Sequence, residues 1–231
     1  MNERQSKMNS DIFFPLLRMT LTAAQATLNS IPSARRQTLD QLAAWIAERA
    51  RAGSAAELVF ICTHNSRRSH FGQIWAQTAA AAFGLQHVRT YSGGTEATAF
   101  HPNAVNALRS QGFEIRKQDE TDNPLYLVQA GPALPVFPVY SKRYDDSANP
   151  SSDFAAVMTC SDADEACPFI PGAGIRFSTP YDDPKASDGT GRESIVYAQR
   201  SLQIASEMLY AGTEAQRHKG TKDVGASHLP K

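Results

Sequence analysis

Cysteine stands at three positions in this chain, 62, 160 and 167, and the first is set in the pattern of an anion site. Cys62 closes the apolar run Glu57-Leu-Val-Phe-Ile-Cys62 and opens the polar stretch Thr63-His-Asn-Ser-Arg-Arg68-Ser69, after which an Ala-rich helical stretch begins. A tight loop from strand end to helix start turns successive backbone N–H groups inward at the positive end of a helix dipole, which suits a tetrahedral oxyanion. Thr63, His64, Asn65, Ser66, Arg67 and Ser69 are the candidates for that cradle. Arg68 adds a planar two-pronged clamp, and Asn65 tolerates the left-handed backbone that such a loop needs. The same field favours thiolate over thiol at Cys62 and so makes it a nucleophile. Ser69 can hydrogen-bond the sulfur and stabilise it as a leaving group. The bland alternative is a buried structural cysteine, since free cysteine is commonly buried. Cys-x5-Arg alone is loose; its force comes from the strand before it and the Ser and helix after it.

Cys160 follows a second apolar run, Phe154-Ala-Ala-Val-Met-Thr159, and Cys167-Pro168 lies seven residues on. In a parallel α/β sheet, reactive groups gather at the strand C-termini, so Cys62 and Cys160 are expected on one rim. Seven residues of straight helix would separate the Cα atoms of 160 and 167 by about 10.5 Å, whereas a disulfide needs them within about 7 Å. A bond between them therefore requires that segment to fold back or unwind, and Pro168 and Pro171-Gly172 favour local melting. Inert burial is again the alternative. A zinc site from the three cysteines and His64 fits no usual spacing, and Asp162 with Asp164 reads as solvated loop. No metal is expected.

The elements that must position these groups are legible from periodicity. The chain has 231 residues, 42% of them apolar, enough for a real core and too many for disorder throughout. Residues 1–10 are polar and expected to be disordered. Residues 11–53 have helical periodicity, clearest over 33–50, where Leu39, Leu42, Trp45 and Ile46 share a face and Gly53 stops the helix. Strands at 57–62, 88–92, 154–159 and 174–178 alternate with helices at 70–83, 101–111 and 191–211. The last helix carries Ile195, Ala198, Leu202, Ala205 and Leu209 at helical spacing. This order predicts an α/β fold, a four-stranded parallel sheet flanked by helices, over 55–212. The stretch 117–152, with Pro124, Pro132, Pro135, Pro138 and Pro150, is an insertion whose segments 125–129 and 136–140 can pair as an edge hairpin. The polar tail, 213–231, is expected to be disordered.

Lys and Arg total 23 and Asp and Glu total 23, so no basic excess suggests a general nucleic-acid binder. The longest uncharged stretch near the start, 19–34, is too short and polar to span a bilayer. Ala24-Gln25-Ala26 resembles a cleavage site, but the segment before it is interrupted by Pro15 and Arg18. Three cysteines in a chain of this size argue against a secreted disulfide scaffold. A cytoplasmic protein with no nucleic acid or membrane partner is expected.

Taken with Ser92-Gly-Gly-Thr-Glu-Ala, His101-Pro-Asn-Ala-Val and Asp183-Pro184, the Cys62 loop resembles the low-molecular-weight protein tyrosine phosphatase superfamily over residues of about 57 to 210. The resemblance implies that Cys62 is the nucleophile, Arg68 binds the oxyanion and Asp183 is the general acid. Asp183 can alternatively be no more than a turn cap, and Asp182 is its adjacent rival. His64 and Arg67 depart from the family pattern, standing where a small residue and often a cysteine are usual. The pair Cys160 and Cys167-Pro168 resembles the thioredoxin-coupled arsenate reductase branch. That branch implies arsenate in the loop, attack by Cys62, relay through Cys160 and Cys167, and a surface disulfide reduced by thioredoxin without a bound cofactor. A phosphatase acting on phosphotyrosine or small phosphoesters would need neither Cys160 nor Cys167. Lys185-Ala-Ser-Asp188 lacks the aromatics that such phosphatases often carry after Asp-Pro, although Tyr126, Tyr140 and Tyr144 can supply a wall. A non-catalytic oxyanion module is disfavoured by nucleophile, Arg, Asp-Pro and cysteine pair occurring together.

Overall fold

In the computed structural model, which describes residues 8–166 and 169–220, the apolar runs become strands and the amphipathic runs helices. The order is α1 (Pro15–Ala26), α2 (Ser33–Arg51), β1 (Ala56–Cys62), α3 (Arg68–Ala82), β2 (Val88–Gly94), α4 (Pro102–Ser110) and β3 (Glu114–Lys117). It continues with β4 (Tyr126–Gln129), β5 (Phe137–Val139), β6 (Phe154–Met158), α5 (Ser161–Ala166), β7 (Ala173–Ser178) and α6 (Glu193–Gly220).

Four strands form the expected parallel sheet in the order β2-β1-β6-β7. Its inner strands read as continuous apolar runs because helices cover both faces of a parallel sheet. Leu58 to Ile61 and Phe154 to Met158 are all buried. In register, Ile61 pairs with Gly93 on one side and Met158 on the other, so β1, β2 and β6 end together. Helix α3 lies so close to β1 that a Cβ at Gly72 would come within 2.3 Å of the Phe60 ring.

The hairpin expected at the sheet edge is a different object. Strands β4 and β5 do pair, but with β3 they make a second, antiparallel sheet in the order β3-β4-β5. Glu114-Ile-Arg-Lys117 shows only one apolar residue, Ile115, which is buried on that sheet's inner face; the pairing partner, not the local pattern, makes it a strand.

Two expected ends are corrected. The backbone N–H of Asn9 donates to the Ala82 carbonyl at 2.8 Å and Met8 packs on the core, so residues 8–10 are tied down. Helix α6 continues to Gly220 with Ala215 fully buried, so 213–220 is helix and not tail. Residues 1–7 and 221–231 lie outside the described residues.

The buried face of α6 keeps Ala205 and Leu209 of the expected stripe, with Leu202 at its margin, but is shifted from it toward the N-terminal end. It carries Tyr197, Ser201, Ile204, Ala205, Met208 and Leu209, while Ile195 is exposed. Ser201 sits inside because Trp75 Nε1 donates to its hydroxyl at 2.9 Å and the hydroxyl donates to Gln111 Oε1 at 2.6 Å. A satisfied polar group costs little to bury and hides the stripe from a hydropathy reading.

Helices α1 and α2 are part of this core. Leu17, Leu21, Leu39, Leu42 and Ile46 join one apolar cluster with Phe71, Trp75 and Leu209. Pro15 does not break α1; it occupies the first turn, where its missing N–H has no partner to lose. Among the described residues no helix is long and apolar enough to cross a membrane. Leu42→Ala should lower the stability of the whole chain by about 2–5 kcal/mol in a single cooperative denaturant transition; two separate transitions would contradict a shared core.

Candidate active site

The loop between β1 and α3 is shaped by where its carbonyls go. Thr95 N donates to Cys62 O, Glu96 N to Thr63 O at 2.8 Å, and His101 N to Ser66 O at 3.0 Å. Thr98 Oγ1 and Ser141 Oγ both donate to His64 O at 3.1 Å. With these carbonyls drawn outward, the loop N–H groups face the other way and meet no protein acceptor among the described residues. Asn65 takes the left-handed conformation expected of it, with φ of 43°. Its side chain is clamped at both ends, Oδ1 accepting from Lys142 N and Nδ2 donating to Ser69 Oγ, each at 2.8 Å.

Ser69 Oγ lies 3.1 Å from Cys62 Sγ. Because that oxygen already accepts from Asn65, its own hydrogen is free to point at the sulfur. Gly94, across the rim, admits the loop: a Cβ there would come within 2.7 Å of Asn65 N and Thr63 O.

Arg68 and Asp183 meet. Arg68 Nη2 donates to Asp183 Oδ2 at 2.6 Å and Nη1 to Tyr181 O at 3.0 Å, while its buried Nε has no partner within the described residues. Asp183 Oδ1 also caps the short 3₁₀ turn Pro184–Ser187 through Lys185 N at 3.0 Å, so turn cap and site carboxyl are the same side chain. Asp182 points away; it is almost fully exposed and pairs with Arg200 at 3.0 Å.

The two departures in the loop do not add free cations to it. Arg67 Nε donates to Tyr197 OH at 2.5 Å and Nη2 to Asp188 Oδ2 at 2.8 Å, so only its backbone faces the cradle. His64 is turned outward, 3.8 Å from Glu96. Partial burial pushes the Asp188 carboxyl up, but the Tyr197 hydroxyl and Arg67 guanidinium outweigh it and hold it below the usual carboxylate range. Burial, with the Asp188 carboxylate beside it, raises Tyr197. His101, stacked on Tyr197, is lowered by burial and by Arg67. Sequence reasoning missed Asp188, Tyr197 and Lys142, which have no motif and reach the loop from remote segments.

Cys160 lies two residues past β6, the strand that pairs with β1. Its Sγ is 3.5 Å from Thr63 Oγ1, and it is buried in one cluster with Cys62, Ile61, Met158 and Ile170. Thr159 N donates to Ile61 O at 2.7 Å, which keeps the two chains in step to the rim. Cys167 and Pro168 lie outside the described residues. Asp164, expected as solvated loop, instead pairs with Arg176 and accepts from Ser178 Oγ at 2.6 Å, which ties α5 to β7; Asp162 is exposed. Tyr126 is buried edge-on to Phe100 and belongs to the core, and Tyr140 covers the Lys142 ammonium at 4.7 Å. Among the described residues no group of three or more His, Cys, Asp and Glu could hold a metal ion.

The arrangement offers a thiol with a hydroxyl donor, a ring of backbone donors, a guanidinium and a carboxyl beside it, and a second thiol next door. Such a set can attack a tetrahedral oxyanion, protonate a departing oxygen and expose the resulting adduct to attack by a second thiol. The family model described as low molecular weight phosphotyrosine protein phosphatase matches residues 57–122. The arsenate reductase of Bacillus licheniformis is 29% identical over 147 residues, covering 64% of this chain and 87% of that protein. The arsenate reductase of Bacillus subtilis is 28% identical over 143 residues, covering 62% and 84%. Among solved structures, a low molecular weight phosphotyrosine phosphatase from Vibrio cholerae O395 superimposes with a TM-score of 0.49 at 16% identity, covering 72% of this chain and all of that one.

Burial lowers Lys142 from 10.5 to about 8. The unfolded chain therefore binds the extra proton between those values, and the burial cost is fully present below about pH 8 and relieved as pH rises. Lys142→Met should raise stability at pH 7 by up to about 3 kcal/mol, at about 1.4 kcal/mol per pKa unit. That gain should shrink toward pH 10 in urea denaturation; a gain independent of pH would contradict the assignment.

Proposed function

We propose, from the match of residues 57–122 to the low molecular weight phosphotyrosine protein phosphatase family model, that this chain is an arsenate reductase working through three cysteines. The observation that carries the reading is the placement of Cys160, buried 3.5 Å from the Thr63 hydroxyl and two residues beyond the strand that pairs with the one ending in Cys62. A phosphatase has no use for a second thiol there, and arsenate reductases are among the similar proteins.

Arsenate binds the N–H groups of the loop and the Arg68 guanidinium. The Cys62 thiolate attacks arsenic, and Asp183 gives its proton to the departing oxygen, which leaves as water. The Cys160 thiolate then attacks Cys62 Sγ. A Cys62–Cys160 disulfide forms, the sulfur–arsenic bond breaks, and its electron pair stays on arsenic, which leaves as arsenite; two thiolates have supplied the two electrons. Cys167 attacks Cys160, freeing the Cys62 thiolate and leaving a Cys160–Cys167 disulfide. Thioredoxin reduces that bond by exchange, which places the protein in the reducing cytoplasm. The basic outer turn of the loop is neutralised by Asp188, so Arg68 alone among its side chains meets the anion.

The second reading, a phosphatase, is favoured by the family match and by a Cys62, Ser69, Arg68 and Asp183 group that is complete without the other thiols. With thioredoxin, thioredoxin reductase and NADPH, the wild-type chain should consume NADPH when arsenate is added. Cys160→Ser and Cys167→Ser should each stop that turnover. Hydrolysis of p-nitrophenyl phosphate at an unchanged rate by both variants, with no NADPH loss in the wild type, would replace the reductase by the phosphatase. Ser69→Ala should lower kcat about a hundred- to a thousandfold with KM little changed, as for loss of one preorganised donor; an unchanged kcat would remove Ser69 from the mechanism.

A further inference from the structure

We propose that Arg35, in α2 and outside the family match, is a positioning residue that sets Asp183 against the anion loop. The inference rests on the reading that Asp183 is the proton donor of the site.

Among the described residues Arg35 makes two contacts with the segment that carries Asp183 and one with α6, on a residue that in turn holds Tyr181. Its Nη2 donates to Pro180 O at 2.6 Å, its Nη1 pairs with Glu207 Oε2 of α6 at 2.9 Å, and its guanidinium lies 5.0 Å from the Tyr181 ring centroid. Glu207 is buried, and the same oxygen accepts from Tyr181 OH at 2.7 Å. Burial and the adjacent Glu207 carboxylate push Tyr181 well above its ordinary value, so its hydroxyl stays a donor at working pH. The next links are already in the site: Tyr181 O accepts from Arg68, which holds Asp183.

Residues 180–183 are thus gripped from both sides, by Arg68 from within the loop and by Arg35 from the N-terminal helices. Tyr181 N donates to Thr159 O at 3.1 Å, but among the described residues the Asp182 side chain has only an exposed pair with Arg200. Without Arg35 the Pro180 carbonyl and the buried Glu207 carboxylate both lose a donor, and the Tyr181 anchor shifts with them. Misplacing a catalytic group by about 1 Å can cost about a hundredfold in rate. The N-terminal helices are then part of the site's geometry as well as of the core.

The test compares full-length Arg35→Ala, Arg35→Lys and Tyr210→Phe, each with Asp183 intact and as Asn. Tyr210→Phe is the control, since it removes the 2.9 Å bond to Asp40 between the same two helices without touching 180–183. Arsenate reduction is measured, or aryl phosphate hydrolysis if that is the activity. Arg35→Ala should lower kcat about tenfold, part of the hundredfold that misplacement can cost, with KM nearly unchanged. In the Asp183→Asn background it should lower kcat no further, and Tyr210→Phe should keep the wild-type kcat. If Arg35→Ala does not fold, Arg35→Lys takes its place, because a lysine keeps a cation at Glu207 but cannot fork to Pro180 as well. A folded Arg35 variant with wild-type kcat, or one losing the same factor with and without Asp183, overturns the proposal alone. A wild-type chain inactive with both substrates overturns it together with the reading of the site.

Discussion

A loop that turns its N–H groups toward an anion must find partners elsewhere for its carbonyls. That requirement organises this molecule. Cys62, Thr63, His64 and Ser66 hand their carbonyls to residues 95–101 and to Ser141. The second sheet is therefore not an ornament on a minimal domain. It delivers Ser141 and Lys142, and the backbone N–H of Lys142 is what fixes Asn65 in its left-handed turn. An unsatisfied buried carbonyl would cost about as much as a lost hydrogen bond, so the inserted chain and the loop stabilise one another.

Charge is handled in the same way. Two adjacent arginines in an anion loop would compete for the ligand if both were free. Tyr197 and Asp188 hold Arg67 away, and Tyr181 and Asp183 hold Arg68 in place. Each guanidinium is pre-oriented by fixed acceptors, so little ordering remains for substrate binding to supply. The overall balance of 23 cationic and 23 anionic side chains says nothing of the strongly polar site within.

The thiols depend on sheet register. Parallel neighbours lie about 4.8 Å apart, and β1 and β6 end in step, so two cysteines far apart in sequence reach one rim. The six-residue α5 that follows Cys160 is anchored through Asp164 to Arg176. Because α5 stays helical to Ala166, a bond from Cys167 back to Cys160 would require this short helix to unwind.

By itself the sequence determined the strand–loop–helix carrying Cys62, the parallel sheet, and the roles open to Asn65, Ser69 and Arg68. Local periodicity and a short motif encode all of these within a few residues, whereas the role of Asp183 was implied only by the family resemblance. The sequence misread part of the buried face of α6, because Ser201 is polar yet satisfied inside, and it missed β3, because one apolar residue in four carries no period. It set an edge hairpin where a second sheet stands and a tail where α6 continues. Only the tertiary structure decided that Asp183 faces Arg68 while Asp182 does not. The same holds for Arg67 being turned from the cradle, for Cys160 lying beside Thr63, and for Arg35 gripping residues 180–183. Each is a contact between segments tens to more than a hundred residues apart, and such contacts are set by packing and register, which no local pattern records.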